Sequence, residues 1–244
     1  MLVIDQRSTT CEQTSGRGAE AAREPNFLLA KVEKRALRAM AARLPRWILP
    51  DDLTALGVAS ALGICAAYQL TNESPLWLIA ATVLLVVHWL GDSLDGTLAR
   101  VRKIQRPRYG YYLDHLADAI STVLIGIGLG LSPFMLLSVG TLIVVAYLVL
   151  SINVYLESQA LGRFSIGYGR LGPTEGRLAL IALNTLLLST GGLGFTVFGT
   201  VVSALDLVGL AAACVMIALV IGRAARNLTE LARAEPAAAR GGRG

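Results

Sequence analysis

The sequence predicts an all-α integral membrane protein, in which six transmembrane helices follow an amphipathic helix on the cytoplasmic surface. Three observations support this class. Of the 244 residues, 54% are hydrophobic and 16% are charged, and the mean hydropathy is +0.59, which is too apolar for an ordinary soluble domain. Apolar segments recur at close to the ~20 residues that a helix needs to cross a bilayer. Basic residues gather in alternate loops, as they do on the cytoplasmic side of membrane proteins.

Two segments precede the apolar part of the chain. Residues 1–25 are small and polar, without the apolar core of a signal peptide, and this composition predicts a disordered tail. Residues 26–47 are predicted to form the amphipathic helix, because basic residues alternate with apolar ones. The apolar ones recur at every fourth position: Leu28, Val32, Ala36, Met40 and Leu44. Such a helix is typical of a membrane surface, and a helix packed on a soluble partner is the alternative.

Residues 50–224 form the predicted six-helix domain, and residues 234–244 a second disordered tail. The predicted crossings are 53–70, 76–95, 111–131, 134–157, 175–190 and 199–222. Basic residues follow the second, fourth and sixth crossings, whereas the intervening loops carry almost no charge. The positive-inside rule therefore predicts that both termini lie in the cytoplasm. The expected location of the chain is the cell (inner) membrane. The net charge of +5 fits anionic lipid headgroups, and no nucleic-acid partner is expected because the basic residues lack stacking aromatics.

Four aspartates interrupt the apolar pattern at the second loop. Asp92 and Asp95 share one face near the end of the second crossing, and Asp114 and Asp118 share a face at the start of the third. Two helices joined by the short loop 101–108 are antiparallel neighbours, so the two pairs can converge. Converging carboxylates cannot all stay ionised without a partner, and oxygen ligands of this kind suit Mg²⁺ or Mn²⁺ shared with substrate phosphates. The sequence therefore predicts a divalent-metal site facing the cytoplasm.

The acids belong to a longer pattern, which reads Asp92-x2-Asp95-Gly96-x2-Ala99-Arg100, then nine residues, then Gly110-x3-Asp114-x3-Asp118. This pattern resembles the signature of the CDP-alcohol phosphotransferases, also called CDP-alcohol phosphatidyltransferases, and all eight fixed positions are filled. The resemblance implies a metal-dependent enzyme of phospholipid synthesis. It would transfer a phospho-alcohol group from a CDP-linked donor to a hydroxyl and release CMP, and one of its two substrates would be a lipid.

The resemblance also implies roles for individual residues. The four aspartates would hold two Mg²⁺ or Mn²⁺ ions, and Asp118 would also be the general base. Gly96 and Arg100 belong to the nucleotide and diphosphate side, and the missing Cβ of Gly96 and Gly110 lets a phosphate or a helix come close. Thr54 ends a Pro-Asp-Asp-Leu-Thr stretch that resembles a family segment beside the nucleotide, with a plain helix start as the alternative. Family members are commonly homodimers, which we expect here too.

Two further positions resemble one branch of the family. His115 directly follows Asp114, and Glu175 ends the stretch Gly172-Pro173-Thr174-Glu175 at the start of the fifth crossing. A His and a Glu in these places resemble the choline and ethanolamine phosphotransferases, in which they activate the acceptor hydroxyl. The resemblance thus favours a CDP-linked small alcohol as donor and a lipid alcohol as acceptor. Alternatively, Glu175 only starts a helix and His115 only supports the metal ligands.

Three other functions are considered. CDP-diacylglycerol can instead donate a phosphatidyl group to a small alcohol, and the same signature serves that reaction. An ion-coupled transporter is the non-enzyme alternative, but its site would be expected near the middle of the membrane on broken helices. An intramembrane prenyltransferase also uses aspartates and Mg²⁺, but its two acidic motifs lie far apart in the chain.

Overall fold

The computed structural model describes residues 30–162, 173–192, 194–197 and 200–235; within them, the side chains of 30–32, 173–175, 195–197 and 200–201 are not described. These ranges contain seven helices and one hairpin. In chain order they are α1 (Ala30–Arg43), α2 (Pro50–Leu70), α3 (Trp77–Val101), α4 (Pro107–Gly130), α5 (Leu137–Leu161), α6 (Pro173–Thr190), β1 (Gly194–Val197), β2 (Thr200–Ser203) and α7 (Ala204–Ala234). The predicted tail 1–25 lies outside the described residues, as do residues 26–29 and 236–244.

Five helices of the described part are long and apolar enough to cross a membrane: α2, α3, α4, α5 and α7. The protein is therefore an integral membrane protein. Helix α6, which corresponds to the predicted fifth crossing, has a shorter apolar part, Gly176–Thr190. At 1.5 Å per residue this part spans about 22 Å, less than the ~30 Å hydrocarbon core. Five crossings are thus supported by length and composition, and the sixth stays a prediction.

The end of the chain differs from the sequence-based boundaries. A crossing is predicted over 199–222, but residues Thr200–Ser203 pair in an antiparallel hairpin with Gly194–Val197. Threonine and valine fill much of this segment, and both favour strands. The helix then begins at Ala204, because Ser203 and Asp206 cap each other: the Asp206 amide donates to Ser203 Oγ and the Ser203 amide donates to Asp206 Oδ2. It continues to Ala234, where the sequence predicts a disordered tail.

Close contacts between helix backbones hold α2 against both α3 and α4. A Cβ on Gly91 of α3 would lie 2.7 Å from the Leu53 carbonyl oxygen, and one on Gly128 of α4 would lie 2.6 Å from Cys65 Cα. No side chain larger than hydrogen fits at either place, so these glycines let the helices approach closely. In the same bundle α5 packs against α4, α6 against α3, and α7 against α5.

A buried polar group joins α6 to the bundle within the apolar region. The Asn184 side chain accepts a hydrogen bond from Tyr68 Oη at 3.0 Å and donates one to Thr82 Oγ1 at 3.1 Å. Asn184 is 1% exposed and Tyr68 is fully buried. Because water is absent at such a position, each polar atom depends on these partners, and α6 is held in register with α2 and α3.

The first helix packs on the bundle through a different face from the predicted one. Leu37 and Ala41 are buried in a cluster with Leu53, Leu94 and Leu98 of α2 and α3. In the predicted stripe, Ala36 and Met40 are exposed, whereas Leu44, just after the helix, packs against this cluster. The side chains of Leu28 and Val32 are not described. Residues four apart drift around a helix of 3.6 residues per turn, so an every-fourth pattern does not follow the buried face. A position of α1 on the membrane surface stays a prediction.

Hydrogen bonds identify which loops lie at the same end of the bundle. Asn72 Nδ2 donates to the Leu131 carbonyl, and the Leu136 amide donates to Asp206 Oδ1, so the α2–α3 loop, the α4–α5 loop and the start of α7 are neighbours. At the opposite end the Arg102 guanidinium lies on the carbonyls of Leu44, Pro45, Arg46 and Ile48. The four aspartates of the sequence pattern lie toward the end of the bundle that holds Arg102.

Candidate active site

The four aspartates of the sequence pattern come together between α3 and α4. The Asp118 carboxyl lies close enough to Asp92 and Asp114 for their charges to act on it. The charges of Asp92 and Asp114 also act on the Asp95 carboxyl. The short turn between α3 and α4 makes the two helices antiparallel, and both pack on α2, so their acidic side chains face the same space. Such a group requires a cation to balance its charge.

One part of this group has the spacing of metal ligands. Ligand atoms of Asp114, His115 and Asp118 lie within 4.8 Å of one another, and all three residues are half-buried. Carboxylate oxygens, with one imidazole nitrogen nearby, form a donor set that fits Mg²⁺ or Mn²⁺. His115 is thus closer to the ligand set than the sequence pattern alone indicates.

Asp95 is oriented by two donors. Thr54 Oγ1 of α2 lies 2.6 Å from Asp95 Oδ2, and the Gly96 amide donates to Asp95 Oδ1 at 2.5 Å. Both Thr54 and Asp95 are buried. Thr54 also lies 3.3 Å from the Pro50 carbonyl oxygen. In the structure, therefore, Thr54 is directed toward a predicted metal ligand, and its predicted contact with the nucleotide is not tested.

The two signature glycines have different surroundings. A Cβ on Gly110 would meet no described atom within 4 Å, so in the described part of the chain helix packing does not explain this glycine. A Cβ on Gly96 would lie 3.4 Å from Arg100 Nη1, and Arg100 Nη2 donates to Thr97 Oγ1 at 3.2 Å. Gly110 thus leaves space beside the acids, and Gly96 leaves space for the Arg100 guanidinium.

His115 is fixed by aromatic rings. Its imidazole stacks on Tyr155 of α5 with centroids 4.6 Å apart and an interplanar angle of 11°, and it meets the Tyr111 ring edge-on at 4.1 Å. Its Nδ1 lies 3.3 Å from Asp114 Oδ2. The predicted partner Glu175 lies at the start of α6, but its side chain is outside the described residues. The His115–Glu175 pair therefore stays a prediction.

An ionic contact between Arg106 and Asp51 lies at the same end of the bundle as the acids. Arg106 Nη2 lies 2.5 and 2.6 Å from the two Asp51 carboxylate oxygens. The same guanidinium covers the Tyr109 ring at 3.9 Å, and Tyr109 Oη lies 3.3 Å from Asp51 Oδ2. The hydrogen bond to Asp51 raises the pKa of Arg106 above its ordinary value. The start of α2 is thereby joined to the α3–α4 loop.

Comparison with known sequences identifies the family of the chain. Residues 47–222 match the family described as CDP-alcohol phosphatidyltransferase, and the matched range contains all four aspartates. The chain belongs to the CDP-alcohol phosphatidyltransferase family. Membership of this family indicates a transferase of phosphate-containing groups.

A named relative is similar to part of this transferase. Cholinephosphotransferase 1 of Danio rerio is 29% identical over 92 residues, which make up 35% of this chain. The match spans about a quarter of that protein, 24% of its length. The similarity therefore supports the enzyme class, and the substrates of this transferase are treated as a proposal.

Sequence reasoning missed one charged residue of the site. Arg177 of α6 places Nη2 2.6 Å from Asp92 Oδ2, and the two side chains are 15% and 23% exposed. The contact joins positions 85 residues apart, so no local spacing indicates it. A signal did exist, because an arginine at the start of an apolar crossing is a functional-site candidate in a membrane protein.

His88 is a buried histidine beside the site. It lies one turn before Asp92 on α3, is 5% exposed, and lines a small cavity with Asp92, Thr54 and Ser121. The cavity has a volume of about 10 Å³, which is close to the space that one water molecule needs.

Proposed function

We propose that this transferase moves a phospho-alcohol group from a CDP-linked donor to a hydroxyl acceptor and releases CMP. The convergence of Asp92, Asp95, Asp114 and Asp118 carries the proposal. Four carboxylates would repel a diphosphate on their own, so the reaction needs a divalent cation between them. Two Mg²⁺ or Mn²⁺ ions held by these residues would supply charge neutralisation for the diphosphate and for the departing CMP.

Each residue of the site would have its own role in the proposed reaction. Thr54 and the Gly96 amide hold Asp95 in place, and the open side of Gly110 gives the donor phosphates room. The acceptor oxygen forms a bond to the phosphorus that carries the alcohol, and the diphosphate bond breaks so that CMP keeps the bridging oxygen. The proton of the acceptor hydroxyl passes to a base, either Asp118 or His115.

The proposal favours a CDP-linked small alcohol as donor and a lipid alcohol as acceptor. Two observations support it: His115 directly follows Asp114 beside the acids, and the chain is partly similar to a cholinephosphotransferase. Glu175 would raise the basicity of His115 by a hydrogen bond, preparing it to take a proton from a weakly acidic lipid alcohol. Transfer of a phosphatidyl group from CDP-diacylglycerol is the alternative.

The proposed setting is the cell (inner) membrane, with six crossings and a cytoplasmic site. Soluble CDP-linked substrates are cytoplasmic, and Arg102, Lys103 and Arg106 lie at the same end as the acids. In this arrangement α6 is the additional crossing, and α1 lies at the cytoplasmic surface. A homodimer is also proposed, on the family resemblance.

Purified protein incubated with a panel of CDP-linked small alcohols and CDP-diacylglycerol tests the proposal, with CMP and lipid products read by mass spectrometry. We expect CMP release with Mg²⁺ or Mn²⁺ and none in EDTA. Products from a CDP-linked small alcohol and a lipid alcohol would support the favoured donor. Full turnover in metal-free buffer would contradict the metal site, and turnover with CDP-diacylglycerol alone would reverse the donor assignment.

A further inference from the structure

Arg177 lies within the acidic group without being part of the family signature. It reaches from α6 to Asp92 of α3, and the two side chains are mostly buried. A guanidinium and a carboxylate held this way form a charge-assisted hydrogen bond, which is stronger than a neutral one. The pair therefore has an electrostatic role in the site, because Asp92 is also a predicted metal ligand.

Metal ions on the aspartates would weaken the attraction between Arg177 and Asp92. An excess of carboxylates attracts a guanidinium, whereas divalent cations on the same carboxylates repel it. A donor diphosphate adds negative charge at that moment, and the planar fork of an arginine fits phosphate oxygens as well as carboxylate oxygens. Arg177 would thus have one anionic partner before the substrates enter and another afterwards.

We propose that Arg177 is a binding residue for the donor diphosphate, paired with Asp92 until metal and donor enter. The inference rests on the proposed function, since it assumes a diphosphate at the acidic group. In the loaded enzyme the guanidinium would leave Asp92 and hold a non-bridging phosphate oxygen. It would orient the donor and stabilise the negative charge that CMP acquires on leaving.

A second partly buried pair of an arginine and a carboxylate joins α7 to α5. Arg223 of α7 donates through Nε and Nη2 to Glu157 Oε2 of α5, at 3.1 and 2.7 Å. Neither residue belongs to the predicted metal ligands. The Arg177–Asp92 pair also joins two helices, but it differs because Asp92 is a predicted metal ligand.

Mn²⁺ binding and donor kinetics together test the role of Arg177. Arg177→Gln should bind Mn²⁺ several-fold more tightly in the absence of nucleotide, measured by electron paramagnetic resonance, because a competing cation is lost. The same variant should raise KM for the donor by about 10- to 100-fold. Arg177→Lys should keep Mn²⁺ affinity near the wild-type value but still raise donor KM about tenfold, because lysine lacks the fork.

Arg226→Gln is the matched control. It removes the same charge from an exposed residue of α7 whose Nε donates to a carbonyl of its own helix, so both readouts should stay at wild-type values. If Arg177→Gln weakens Mn²⁺ and donor binding alike, Arg177 is structural and the inference is wrong. Tighter Mn²⁺ binding with unchanged donor KM also overturns it. If the wild-type protein binds no Mn²⁺ and releases no CMP, the proposed function itself fails.

Discussion

Each aspartate of the candidate site has different neighbours. Asp92 contacts Arg177, Asp95 is held by Thr54 and the Gly96 amide, and Asp114 lies beside His115. Asp118 lies near both Asp92 and Asp114. The four carboxylates are therefore not interchangeable in the fold, although the proposed reaction needs all of them to hold the metal ions.

Replacing each aspartate by asparagine keeps its shape and removes its charge. We expect Asp92→Asn, Asp95→Asn, Asp114→Asn and Asp118→Asn each to lower the rate of CMP release by at least ~10²-fold, the scale of losing a preorganised electrostatic group. Protein yield and thermal unfolding should change little. Glu73→Gln, in an exposed loop at the other end, is the control. Near-normal rates in any two of the four would mean that the site is elsewhere.

A second residue-scale prediction concerns the base. If His115 and Glu175 act as one unit, His115→Ala and Glu175→Gln should each remove most of the turnover, and the double variant should be little worse than either. Mn²⁺ binding should survive, which separates a base from a metal ligand. Wild-type rates for His115→Ala, with CMP released only from CDP-diacylglycerol, would leave Asp118 as the better candidate.

At the scale of elements, the site depends on how closely α2 and α3 approach. Gly91 lies one residue before Asp92, and its contact with the Leu53 carbonyl brings Thr54 within reach of Asp95. Backbone atoms cannot move aside as a flexible side chain can. The distance between these two helices therefore sets the geometry of a predicted metal ligand.

Gly91→Ala tests this contact. The added methyl group should force α2 and α3 apart, lower stability by ~1–3 kcal/mol and reduce activity through the displaced Thr54. Thermal unfolding in detergent and CMP release are the measurements. Gly222→Ala in α7 is the control, because no described atom lies within 4 Å of its added Cβ. Equal melting temperatures for the two variants would contradict the close-contact explanation.

The element boundaries show what the sequence could predict. Apolar length and the polar loops place α2 to α5 within a few residues, because bilayer crossing dictates both. The hairpin before α7 was mistaken for part of a crossing, since Val201 and Val202 are equally apolar in a strand or a helix. The convergence of the aspartates follows from a short turn, but the Arg177–Asp92 contact depends on where α6 packs, which no local pattern encodes.

At the scale of the whole molecule, the two ends of the bundle differ in charge. Arg102, Lys103 and Arg106 lie at the end with the acids, and the loop at residues 71–74 lies at the opposite end with a single charge, Glu73. This asymmetry predicts the orientation in the membrane, and with it access of the site to soluble nucleotides.

Single cysteines test the orientation. One placed within residues 104–107 should react with an impermeant thiol reagent only from the cytoplasmic side, and one placed within 71–74 only from outside. The background should lack the native cysteines, because Cys214 is exposed and would add its own signal. The reverse labelling pattern would separate the acids from cytoplasmic substrates and overturn the proposed setting.

The contact of Asn184 with Tyr68 and Thr82 limits how α6 can move. Sliding α6 along its axis would leave these polar atoms unpaired in hydrocarbon, whereas tilting about Asn184 keeps them together. Arg177 lies seven residues away, about 10 Å along the helix. A small tilt at this pivot therefore becomes a displacement of the guanidinium at the membrane surface. Asn184, in the apolar interior, would be the pivot of this tilt, and Arg177 would move between Asp92 and the incoming phosphates.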